Sequence, residues 1–106
     1  MAINLESLRK NVVKPARIII HSDPGLGKTT FGACAPAPVF IQTEDGLGNL
    51  DATAFPLARS FGEVMEAVAT LYTEKHDFKT LVVDSLDWLE PLIWQEVCRA
   101  NNIESI

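Results

Sequence analysis

The stretch Arg17-Ile18-Ile19-Ile20-His21-Ser22-Asp23-Pro24-Gly25-Leu26-Gly27-Lys28-Thr29-Thr30 decides the fold. Its β-branched run, Ile18 to Ile20, reads as the centre of a strand over Arg17–His21, buried on both faces of a parallel sheet. Ser22 to Gly27 is rich in turn formers. Lys28 to Cys34 reads as a short helix, ended by Pro36 and Pro38. Strand, loop and helix therefore follow one another, with Gly-Lys-Thr at the junction of loop and helix. Ser22 to Thr29 fits the pattern G-x-x-x-x-G-K-[ST], with serine in place of the first glycine.

The residue types suit a triphosphate. Phosphate oxygens need several donors converging on one point. Gly25 and Gly27 let backbone N–H groups turn inward with no Cβ in the way. The helix starting near Lys28 aims free N–H groups and its positive end at the same anion. Lys28 adds a full charge for the β- and γ-phosphates, and the Thr29 hydroxyl can ligate magnesium. Thr30 reaches the α-phosphate side. Pro24 stiffens the loop, and Leu26 completes it. Asp23 would face a triphosphate at an electrostatic cost, so it is expected to point outward. Serine is small, so Ser22 should preserve the loop with a slightly altered backbone. The expected ligand is ATP with magnesium on Ser22 to Thr30.

Beyond this loop the chain keeps alternating. Val39 to Thr43 is a second short apolar strand, and Glu44 to Asn49 is a loop with two glycines. Ala52 to Leu57 is a short extended piece. Ser60, with Glu63 three residues on, predicts a capping box. Val64, Ala67, Val68, Leu71 and Tyr72 follow on one helical face. Thr80 to Asp84 is a third strand around Leu81-Val82-Val83. A last helix runs from about Asp87 to Ala100, with Pro91 in its first turn. Its apolar stripe is Leu89, Ile93 and Val97, with Trp94 beside it. Strands alternating with helices predict an α/β fold with a mostly parallel sheet flanked by helices. Ligands in such sheets bind at the carboxyl ends of the strands.

Two acids stand at those ends. Asp84 closes Leu81-Val82-Val83 and suits a magnesium carboxylate, acting through bound water. Capping of the following helix is the competing role, unless Ser85 is the cap and frees Asp84. Glu44 ends the other strand at the same sheet edge, where a carboxylate can polarise the water that attacks the γ-phosphate. A solvated loop acid beside Asp45 is the plainer reading of Glu44. His21 reads as structural, Asp87 as a helix-start acid, and Trp88 and Trp94 as packing against the sheet.

Composition narrows the classes. The 106 residues suit one domain with a modest core. The chain is 47% hydrophobic and 22% charged, ordinary for a soluble globular protein. A net charge of -5 argues against a large basic surface for nucleic acid. The two cysteines, Cys34 and Cys98, match no metal spacing and read as buried thiols in a reducing cytoplasm. No signal peptide and no apolar run of membrane-spanning length is expected, so the expected location is cytoplasmic. Residues 1–15 read as an arm or lead-in, and 16–106 as the nucleotide domain.

Three stretches carry a family resemblance: Pro24-Gly25-Leu26-Gly27-Lys28-Thr29-Thr30-Phe31, Thr43-Glu44-Asp45-Gly46-Leu47-Gly48 and Asp84-Ser85-Leu86-Asp87-Trp88-Leu89-Glu90. With them the chain resembles the RecA-like P-loop ATPase core over about Ile18 to Val97. Within that class it more closely resembles phage-encoded RecA-like nucleotide-binding proteins implicated in single-strand annealing and recombination. The resemblance implies that Lys28 and Thr29 bind phosphate and magnesium in a Walker A loop. It implies that Asp84 is the Walker B aspartate and Glu44 the catalytic base. It also implies single-stranded DNA as a partner and a bacterial host cell as the setting. A RecA-like core has further strands after the Walker B strand, one of them between it and the P-loop strand. The expectation is therefore an incomplete core, either an N-terminal piece or a naturally short version. Its P-loop and Walker B strands would pair directly or leave unpaired edges, and homo-oligomers are expected of so small a sheet. A non-catalytic nucleotide-binding or assembly module is the alternative. A small-molecule kinase would need a substrate lid and basic residues that this chain lacks.

Overall fold

Two of the three apolar runs become paired strands. The computed structural model describes residues 3–48 and 50–104. It contains a 3-10 turn at Leu5–Ser7, α1 at Lys28–Ala33, β1 at Pro38–Gln42, α2 at Phe61–Thr73, β2 at Thr80–Asp84 and α3 at Leu86–Asn101. β1 and β2 are parallel, in register from Pro38 opposite Thr80 to Gln42 opposite Asp84. Both strands thus end at one edge, with the acid-bearing residues just at or past it.

Side chains alternate along β1, and both faces are covered. Val39, Phe40 and Ile41 are all buried. On one face Ile41 packs with Ala58 and with Val64 and Ala67 of α2, and Phe55, Val68, Leu89 and Leu92 close around them. On the other face α1 lies against Phe40 and Val82. A Cβ at Gly32 would sit 3.0 Å from Val82 Cγ1 and 3.6 Å from Phe40 Cζ, so glycine lets the helix approach this closely.

The extended piece expected at Ala52–Leu57 borders the sheet. Phe40 N donates to Thr53 O, Phe55 N to Phe40 O and Ala58 N to Gln42 O, each at 2.9 Å. Gln42 Nε2 adds a bond to Phe55 O at 3.2 Å. This segment occupies the outer side of β1, and β2 occupies the other.

The expected strand at Arg17–His21 does not form. These residues carry no strand pairing, and Ile18 and Ile19 are 72% and 80% exposed. Of the two expected outcomes, direct pairing with β2 or open edges, the structure takes the second. The reason is that β-branched residues favour a pleated conformation without supplying a partner. A strand persists only where a neighbour satisfies its N–H and C=O groups. The radius of gyration is 18.3 Å, against about 13 Å for a compact domain of this length, because residues 3–20 stand away from the core. Met1, Ala2 and Asn49 of the expected arm and loop lie outside the described residues, as do Ser105 and Ile106.

The helices follow their signals with shifts. Ser60 Oγ accepts from Glu63 N at 3.1 Å, half of the expected capping box. The Glu63 carboxylate returns its bond to Arg59 N at 2.7 Å, one residue upstream of the cap. Tyr72, expected on the packed face, is exposed. It lies in the last turn, eight residues and so about 80° round from Val64. α3 begins at Leu86, so Pro91 is its sixth residue and not in its first turn. It therefore removes the N–H that would bond the Asp87 carbonyl. Leu89 and Leu92 reach the core, whereas Ile93, Trp94 and Val97 stay partly exposed, at 37%, 51% and 39%. Trp88 is exposed too, so neither tryptophan packs on the sheet. The apolar stripe runs at i and i+3 because only the early turns of α3 meet the core. Cys34 is exposed and Cys98 half-buried, and both are free, which corrects the expectation of two buried thiols. His21 is exposed, so it holds no structural core position. No helix among the described residues is long and apolar enough to cross a membrane.

Candidate phosphate and metal site

The loop is held at its two ends. At its downstream end, Gly27 is the N-cap of α1 with φ 91°, and Gly25 has φ 84°. Both are left-handed conformations that an L side chain adopts only with strain. Nothing lies within 4 Å of where a Cβ would stand on either, so the glycines serve backbone shape and leave the cradle open. The first helical bond runs from Phe31 N to Gly27 O at 2.8 Å, so the N–H groups just before Phe31 lie outside the helical ladder.

Lys28 Nζ donates to Ser22 O at 2.7 Å and closes the loop across its mouth. The acceptor is a backbone carbonyl, so serine instead of glycine does not disturb this bond. Ser22 Oγ donates to Asp23 O at 3.2 Å. Ser22 is half-buried; Asp23, Pro24, Gly25, Leu26, Gly27, Lys28 and Thr30 are exposed. Asp23 thus lies on the surface as expected.

Thr29 is also half-buried, and its Oγ1 donates to Asp84 Oδ2 at 2.8 Å. This bond joins the first turn of α1 to the end of β2, across 55 positions of sequence. Two features set the geometry. Gly32 seats α1 on Val82, and the β2 ladder delivers Asp84 at the edge where α1 begins. Asp84 does not cap α3. The N-cap is Ser85, with extended backbone and no side-chain cap bond.

Glu44 stands two residues beyond β1 at the same edge and is half-buried. Gly46 lies beneath it: a Cβ there would come 3.9 Å from Glu44 Oε1. The Thr29–Asp84 bond joins the loop to the end of β2, and Glu44 follows β1 at the same edge of the sheet.

One participant is not evident from the motifs. Thr43 is buried, and its Oγ1 donates to Ser85 O at 2.6 Å and accepts from Ser85 N at 2.8 Å. Ser85 Oγ is itself buried without a partner. The only sequence signal for Thr43 is its place at a strand end beside Glu44.

An ATP–magnesium group fits this arrangement. The cradle is open, one ammonium spans it, and a hydroxyl and a carboxylate oxygen already converge at 2.8 Å on the side where a cation would sit. The groove lined by Phe55, Leu57, Glu63, Glu66 and Thr70 contains no loop residue and belongs to another surface.

No curated protein and no solved structure matches the chain. A family model described as AAA domain matches residues 14–106. That span holds the loop, both strands, all three helices and the two acids. The chain belongs to the AAA domain family, a family of P-loop nucleotide-binding ATPases.

Proposed function

We propose that the chain is a magnesium-dependent ATPase module of the RecA-like class, acting in phage DNA recombination or single-strand annealing. The observation that carries the site is the Thr29–Asp84 bond at 2.8 Å, which joins a phosphate loop to a carboxylate on a neighbouring strand. In this reading Ser22 to Thr30 wraps the phosphates. Lys28 leaves the Ser22 carbonyl to meet the β- and γ-oxygens. Thr29 and Asp84 are the residues that would hold magnesium. When bound, the cation offsets charge on the phosphates. Glu44 orients and deprotonates the attacking water from the adjacent strand end. Single-stranded DNA as a partner rests on the resemblance alone, since a net charge of -5 supplies no broad basic surface.

A second reading is a non-hydrolysing nucleotide-binding or assembly module. The open edge of β2 and the unpaired Arg17–His21 segment favour it, because both offer backbone groups for association. Glu44→Gln separates the two. In the ATPase reading, the variant keeps ATP affinity and loses phosphate release by a factor on the order of 10²–10⁴, the usual worth of a general base. A wild-type chain that binds ATP and releases no phosphate supports the module. A chain that binds no ATP in the presence of magnesium refutes both.

A further inference from the structure

The β1–β2 ladder stops at Gln42 opposite Asp84, so Asp84 is its last residue and Glu44 lies two residues past it. Beyond that point one backbone bond continues, Thr43 N to Asp84 O at 2.9 Å. The remaining grip comes from a side chain. Thr43 Oγ1 donates a hydrogen bond to Ser85 O at 2.6 Å and accepts one from Ser85 N at 2.8 Å. Thr43 adjoins Glu44, and Ser85 adjoins Asp84, so this pair of hydrogen bonds ties together the residues next to each carboxylate. Thr43 is 8% exposed, so water does not readily replace it.

We infer that Thr43 is a positioning residue that, through Ser85, holds the neighbouring Asp84 in place at the strand end and so couples magnesium to nucleotide binding. This rests on the ATP–magnesium reading above. The Thr43 hydroxyl donates to the carbonyl and accepts from the N–H of one neighbour at once. Valine has the same shape and can do neither, leaving Ser85 N unpaired and Ser85 O with only its helical bond from Leu89 N at 3.1 Å. Serine retains both bonds. Residues that orient metal ligands without touching the metal commonly change metal affinity by about 10–100-fold when removed.

The test is a titration of the wild-type chain, Thr43→Ser and Thr43→Val with N-methylanthraniloyl ATP, with and without magnesium chloride. The quantity read is the factor by which magnesium tightens binding. Thr43→Val should lose about tenfold or more of that factor. Its affinity without magnesium should stay that of wild type, because the loop and Lys28 are untouched. Thr43→Ser should behave as wild type. A purely structural role would lower the melting temperature and leave the magnesium factor alone, which overturns the inference. So does a serine variant as impaired as the valine one. Should Thr43→Val not fold, Thr43→Ala removes the hydroxyl without adding bulk and is held to the same outcomes. A wild-type chain that binds the analogue equally with and without magnesium overturns the role of Thr43 and leaves ATP binding standing. No binding at all removes the ATP reading itself.

Discussion

Lys28→Ala should weaken ATP binding by roughly 5- to 150-fold while barely changing stability, and the geometry supplies both halves of that estimate. The lysine is exposed and makes a single bond, to the Ser22 carbonyl at 2.7 Å. An exposed bond of this kind contributes about 1 kcal/mol or less to folding. The melting temperature should therefore fall by no more than about 4–8 °C. Against a phosphate about 4 Å away, a unit charge is worth about 1 kcal/mol in bulk water and about 4 kcal/mol at an effective dielectric of 20. The loop is an open cradle, so the value lies between those limits. Binding must also break the bond to Ser22, which removes about 1 kcal/mol from the upper end. A net loss of about 1–3 kcal/mol corresponds to the stated range in Kd. A fluorescent-nucleotide titration measures it, with a circular-dichroism melt on the same sample. Affinity within twofold of wild type would refute the assignment of Lys28 to the phosphates. So would a lost affinity explained wholly by unfolding.

Gly27→Ala should cost about 1–2 kcal/mol through backbone strain alone, because φ is 91° and the space for a Cβ is empty; thermal melts together with ATP titration would show both effects. Ile41→Ala should remove about 2–5 kcal/mol, a large share of the roughly 5–15 kcal/mol available to a chain of this size, and should lower the urea midpoint accordingly. The Arg99 side chain holds the Glu96 carboxyl below its usual 4.5, first by hydrogen bonding and then by its charge. NMR titration should place its midpoint below that value, and Arg99→Ala should return it there. Because the folded value is lowered, any stabilisation from this pair is present above the unfolded value and fades as pH falls through the folded one. The pair is on the surface, so the melting temperature should hardly follow.

What the sequence made legible was local. The loop needs glycines at positive φ, a lysine and a hydroxyl in fixed order, and Gly25, Gly27, Lys28 and Thr29 announce them within five residues. The Ser60 cap and the Val64–Ala67 face are local for the same reason. Pairing is not local. Ile18 to Ile20 carry as strong a strand signal as Leu81 to Val83, yet only the second run has a partner, in β1. Composition along a segment reports how well it suits a pleated surface, and nothing in it reports whether another edge lies 5 Å away. The two tryptophans misled in the same manner: large apolar residues imply burial only where an opposing surface exists, and on α3 it is Leu89 and Leu92 that meet the core while Trp88, in the first turn, and Trp94 are exposed.

The same distinction bears on chemistry. The phosphate-binding part of the site is built from contiguous residues and keeps its form although the strand before it is unpaired. The part that would activate water is assembled from two strand ends, and its geometry depends on bonds between residues 42 positions apart, Thr43 and Ser85. Binding should therefore survive perturbations of the sheet that abolish turnover. Loosening β1 against β2 at Val39 or Val83 would let the Glu44–Asp84 spacing drift while Lys28 and the glycines still met the phosphates. A misplacement of about 1 Å is enough to cost on the order of 10²-fold in rate. Any activity of this chain should thus track the integrity of the β1–β2 edge more steeply than its affinity does.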